Sequence, residues 1–152
     1  MTQGLILAET MAATRDMVYF YINKVEPEYW NNQLEISGQP LNTFTWQLAH
    51  LCWAENMLVL QGCSDKNLHK PWFDHFAIRK EAPDVSLYPP IAEIKETFKA
   101  VHEASLEVVA AMNENELLDV NNHQMNFKLG NNKKKIIINN IRHEAMHVGQ
   151  LS

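Results

Sequence analysis

The residues best able to do chemistry lie in RHEAMHVGQL, where His143 and His147 stand four positions apart. On a helix that spacing puts two imidazoles on one face a turn apart, where both can bind one metal ion. A bare HxxxH pair is more often two surface or capping histidines. His50 changes the weighting. It sits within WQLAHLCWAENM, with Trp46 and Trp53 on its own helix face, where an imidazole without a partner is costly to bury. The ordinary explanation for such a residue alone is a core histidine bonded to a backbone carbonyl. Together, one histidine from one helix and an i, i+4 pair from another offer three neutral ligands. These leave a divalent ion its full charge and at least one open position, as in catalytic zinc sites. A water or thiol at that position is acidified.

HEAMH also matches HExxH, the metalloprotease signature whose Glu is the general base. Five residues follow His147, so no downstream helix is expected to bring a third ligand, and the protease reading is set aside. Glu144 lies about 100° around the helix from His143. It is the candidate catalytic acid–base if it reaches a water on the metal, and the plainer expectation is that it faces solvent. A di-iron site needs two Glu-x-x-His motifs and two further carboxylates; Glu144 with His147 offers one such motif. The remaining histidines have simpler expectations. His69 and His75 fall in a long connection, His123 in an Asn-rich loop and His102 beside Glu103 on an exposed helix face. Of these, His75 is the one whose loop could fold over the metal. Cys52 is about 200° around the helix from His50, and with Cys63 it forms no CxxC pair. Both are expected as buried free thiols in a reducing compartment.

Four amphipathic helices are expected to position these groups. Leu7, Met11, Thr14, Val18, Tyr21 and Ile22 recur at helical steps from Leu5 to about Lys24, before Pro27. A second helix runs from about Thr43 to Gln61, capped by Thr43 or Asn42 and stopped at Gly62. A third begins at Pro90 and continues to about Met112. Lys133 to Leu151 makes the fourth, although KKKIII also fits a strand. The connections, about 18, 28 and 20 residues long, exceed what up-down hairpins need. A loop that long usually covers something or holds a short helix, and PWFDHFAI supplies one turn or two. NFKL is a candidate for a brief extended stretch. The expected architecture is all-α, a four-helix bundle with long crossover connections, forming one domain over residues 1–152.

Composition narrows the partners. With 13 Lys+Arg against 18 Asp+Glu, the net charge of -5 gives no basic footprint for nucleic acid. The LysLysLys run at 133–135 reads as a solvated helix start. The opening MTQGLILAETMAATRDM lacks a basic n-region, and Glu9 and Arg15 interrupt its apolar run, so a signal peptide is not expected. No stretch approaches the roughly 20 apolar residues of a membrane span. The expectation is a cytoplasmic protein.

TFTWQLAHLCWAEN and, about 90 residues later, IRHEAMHVGQL resemble the two signature regions of the DinB/YfiT-like superfamily. The order and spacing carry the likeness: a second-helix histidine after an aromatic-rich turn, then HxxxH followed by Gly-Gln. Val148 stands where Arg is common. The resemblance implies that His50, His143 and His147 hold a divalent ion, often zinc or nickel, at one end of a four-helix bundle. It also implies homodimers and, in some members, S-transfer or isomerisation with a low-molecular-weight thiol.

Two functions compete at this point. One is a divalent-metal-dependent enzyme, of the thiol-dependent S-transferase or hydrolase type, acting on a small electrophile. Trp46, Trp53 and Trp72 are candidate pocket walls, although Trp at helical spacing is more often core. The other is a non-catalytic metal-binding or ligand-sensing bundle, supported by the lack of a convincing acid or base beyond Glu144.

Overall fold

The buried stripe of the first helix, α1 (Gln3–Ile22), keeps Met11, Val18 and Ile22 from the expected one but takes Ala8 and Arg15 in place of Leu7 and Thr14. Gly4, Ala8, Met11, Arg15, Val18 and Ile22 are buried, while Thr14 and Tyr21 are only half-buried. The computed structural model of the protein describes residues 1–78, 80–126, 128 and 130–152. Thr2 caps α1 by accepting from the Leu5 N–H. At its start α1 approaches the end of the third helix so closely that a Cβ on Gly4 would lie 2.5 Å from the Val109 carbonyl oxygen. A side chain there would collide with backbone.

The second helix, α2 (Phe44–Glu55), is capped by Thr43, whose hydroxyl accepts from the Trp46 N–H. It continues without a break into a π-helical turn over Asn56–Gln61, a local widening often found near functional sites. Helix α3 covers Ile91–Ala111 and α5 covers Lys133–Leu151, so KKKIII is helical, started by the Asn132 cap. Between these two lies α4 (Glu114–Leu118), a five-residue helix in a segment expected as loop. It is held by a capping box in which Asn113 and Glu116 satisfy each other's backbone N–H groups. The first connection contains an unexpected two-residue hairpin, β1 (Glu35–Ile36) with β2 (Gln39–Pro40). Ser37 and Gly38 turn it with φ of 53° and 75°, as a two-residue loop of the primed type requires. The stretch expected to be extended at NFKL includes positions 127 and 129, which lie outside the described residues.

Helix α1 packs on α3 and α5, and α2 also packs on α3 and α5. The two helices that come first in the chain therefore occupy opposite corners of the bundle. So do α3 and α5, and the first and third long connections are crossovers between corners. The second connection is not a bare loop. A 3-10 turn at Phe73–Phe76 drives both phenylalanines into the core with Trp46, Leu51 and Phe98. A second apolar cluster, including Met11, Val59, Val109 and Ile137, fills the other part of the bundle.

One polar cluster ties all four long helices together. The Arg15 guanidinium on α1 donates to Glu55 on α2 and to Glu144 on α5, and to the Phe98 carbonyl of α3 at 2.9 Å. Its carbon also sits 3.6 Å above the Phe98 ring. His102 of α3 donates from Nδ1 to Glu55 at 2.9 Å. Arg15 and Glu55 are each 1% exposed and Glu144 is 2% exposed. Removing one member of such a set leaves buried charge without compensation. Arg15→Met is therefore expected to lower unfolding free energy by about 3–5 kcal/mol. Urea denaturation followed by circular dichroism measures this, and a change within about 0.5 kcal/mol, typical of surface substitutions, would show that the cluster does not hold the bundle.

Candidate metal centre

Position 50 of α2 and positions 143 and 147 of α5 face one another where these two helices pack. The α5 pair is brought together by the i, i+4 step, and α2 presents its histidine across the helix interface. The His50 Nε2 lies 3.1 Å from the His143 Nε2, which lies 3.3 Å from the His147 Nε2. All three ligand atoms fall within 4.8 Å of one another. Ligand nitrogens about 2.0–2.1 Å from a tetrahedral zinc are separated by about 3.3 Å, so both short separations match edges of such a shell.

The outer nitrogens explain why the inner ones converge. The His50 Nδ1 donates to the Phe76 carbonyl at 2.7 Å, which leaves the Nε2 lone pair of the neutral ring directed inward. The second connection thus sets the tautomer of a histidine on α2. The His147 Nδ1 lies 3.4 Å from Gln47 Oε1, a longer contact with the same polarity. The His143 Nδ1 is buried and has no partner among the described residues. Two inward lone pairs therefore meet His143 Nε2, which has at most one hydrogen to share between them. A cation at the centre satisfies all three, and neutral imidazoles are ligands for divalent transition metals. The site fits a divalent ion.

Indoles enclose the first ligand. Trp46 stacks on His50 with ring centroids 4.8 Å apart and planes 11° from parallel, and Trp53 stacks at 5.5 Å. Trp72 is buried elsewhere in the core with its indole N–H on Glu93. Burial lowers the pKa of His50 despite its bond to Phe76. It pushes His143 down to about 4, helped by the nearby His50, and His147 down to about 3, helped by both neighbours. All three rings are neutral near pH 7 and available as ligands.

Glu144 is not a solvent-facing carboxylate. Both of its oxygens meet the Arg15 guanidinium, and it is buried. Burial holds its pKa above the ordinary carboxylate value against the opposing charge of Arg15. Burial also raises Glu55, but there Arg15 and His102 outweigh it and hold the carboxylate below its usual value. His102, expected on an exposed face, is instead 7% exposed and bonded to Glu55. Its helix stripe runs Ile94, Phe98, Val101, His102, Ser105 and Val109, so a histidine four residues after Phe98 was a readable sign of burial. His69, His75 and His123 are exposed as expected, and His75 does not join the cluster. Cys52 and Cys63 are buried free thiols, with burial raising the second to about 12.

The lowered histidine values make stability depend on acid. An unfolded imidazole takes up its proton near pH 6.5, while the folded rings resist protonation down to about 4 and 3. Their contribution to stability is complete above about pH 6.5 and is lost as pH falls toward those lower values. The metal-free protein should unfold at lower urea concentration at about pH 5 than at about pH 7.5. That difference should shrink in His147→Leu, and an unchanged difference would remove the triad as its source.

A search of curated proteins finds no match to the chain. The sequence model of the DinB superfamily matches residues 10–151, which include all three histidines, the two helices that carry them, all of α3 and most of α1. The chain belongs to the DinB superfamily.

Proposed function

We propose that the protein is a divalent-metal-dependent enzyme that joins a low-molecular-weight thiol, or water, to a small electrophilic molecule. The observation that carries this reading is the convergence of three imidazole Nε2 atoms, with Phe76 and Gln47 placed against the outer nitrogens of His50 and His147. A divalent ion held there supplies positive charge that acidifies a thiol or water at an open position. The chain's residues do the rest. His50, His143 and His147 hold the ion, Trp46 and Trp53 keep the His50 ring in place, and burial keeps all three ligands deprotonated. Zinc and nickel are the proposed metals, the cytoplasm the proposed location and a homodimer the proposed assembly. No helix among the described residues is long and apolar enough to cross a membrane.

A second reading is favoured by one observation. Arg15 occupies both oxygens of Glu144, so the nearest carboxylate in sequence is not free to move protons. In that reading the ion braces α2 against α5 and no turnover occurs.

His143→Ala should abolish stoichiometric zinc or nickel, measured by elemental analysis, while far-UV circular dichroism stays largely unchanged. Full occupancy in this variant would defeat the proposed site. Metal-loaded protein should accelerate thiol consumption with at least one member of an electrophile panel, and chelation should remove that rate. Tight metal binding with a raised melting temperature, and no turnover with thiol or water, would favour the bracing reading.

A further inference from the structure

The outer nitrogens of the clustered histidines are not held alike. His50 donates its Nδ1–H to a backbone carbonyl, that of Phe76. His147 meets a side chain that could present either end: the Gln47 amide, 4% exposed, has Oε1 3.4 Å from the His147 Nδ1. An amide turned end for end would present an N–H there instead. The ring's polarity would then reverse, and its own hydrogen would point from Nε2 into the cluster. Whatever holds the far end of Gln47 therefore decides the tautomer of His147.

That far end donates from Nε2 to the Asn42 carbonyl at 3.4 Å. A backbone carbonyl can only accept, so turning the amide over would set oxygen against oxygen. Oε1 thus stays toward the ring, Nδ1 keeps the hydrogen, and the Nε2 lone pair faces His143 Nε2 at 3.3 Å. The ring has one hydrogen to place at pH 7, because burial and its two neighbours push its pKa down to about 3. Asn42 directly precedes the Thr43 cap, and the Gln47 backbone N–H donates to the Thr43 carbonyl at 3.0 Å. The first turn of α2 therefore fixes the amide at both its root and its far end. The first connection reaches His147 through Gln47 as the second reaches His50 through Phe76.

We infer that Gln47 is a positioning residue of the metal centre, which, held by the Asn42 carbonyl, keeps His147 as the Nδ1–H tautomer with Nε2 turned toward a divalent ion. The inference rests on the metal-binding part of the proposed function and not on turnover. Loss of such an outer partner costs about 10–100-fold in metal affinity.

Three variants of the full chain, each read in two ways at neutral pH, test this. Long-range ¹H–¹⁵N correlation on the metal-free protein reports the tautomer of His147, and competition with a chromophoric chelator reports zinc affinity. Gln47→Met keeps the side chain's length and fills its space but cannot accept a hydrogen bond. It should lose the single Nδ1–H tautomer and bind zinc about 10–100-fold more weakly. Gln47→Glu restores an acceptor, so it should keep the tautomer and bind zinc at least as tightly as the wild type. Gln150→Ala removes the other amide beside the ring, an exposed one, and should change neither readout. The inference is overturned by an unchanged tautomer and zinc affinity in Gln47→Met, by equal weakening in Gln47→Glu, or by an effect that follows Gln150 instead. Failure of the wild type to bind zinc defeats the metal centre itself, while the tautomer, read without metal, decides the role of Gln47 separately.

Discussion

The bundle is organised around one guanidinium. Arg15 is buried, so its charge has to be answered inside the protein, and the answers come from every other long helix: Glu55, Glu144 and the Phe98 carbonyl. Apolar contacts tolerate sliding by fractions of a residue, whereas a buried ion pair does not, because displacement exposes each charge to low dielectric. The set therefore fixes rotation and register together. Glu144 directly follows His143, so the interaction that locks Glu144 to α1 also determines which way His143 faces. Glu55 plays the same part for α2, five positions after His50.

The metal centre relies on that register because its own contacts work against folding in the absence of an ion. Three neutral imidazoles brought nose to nose cannot all satisfy their inner nitrogens, and taking them out of water lowers their affinity for protons. The covering loop makes this arrangement specific. Phe73 and Phe76 anchor the 3-10 turn in the core, and the Phe76 carbonyl then selects the tautomer of His50. The long second connection is thus a part of the site, in agreement with the expectation that a loop of its length covers something.

Much of this was legible from sequence. Helical periodicity located the four long helices, and the HxxxH spacing with one histidine in a Trp-rich helix identified the triad, because both depend on local geometry. What was not legible depends on pairing between distant positions. Arg15 and Glu144 are separated by 129 residues and Glu55 and His102 by 47, and no local pattern announces such partners. A local sign existed for Arg15, since it occupies the stripe of Ala8, Met11, Val18 and Ile22. A charge on an apolar stripe predicts burial with a counter-charge elsewhere. The short α4 helix was missed because an Asn-rich segment reads as loop until its capping box is recognised.

The locked state of Glu144 bears on which nucleophile the centre suits. Hydrolysis asks much of a site: water is a far weaker acid than a thiol, and the leaving group commonly needs a proton from a positioned acid. A free thiol starts near 8.5 and is strongly nucleophilic once ionised, so a nearby divalent charge alone suffices to hold it as thiolate at neutral pH. Among the described residues the cluster that could hold a metal contains three histidines and no carboxylate, and the adjacent Glu144 is bound on both oxygens by Arg15. A divalent ion held by the three histidines, with the adjacent Glu144 tied to Arg15, would be better matched to thiolate attack on an electrophile than to hydrolysis.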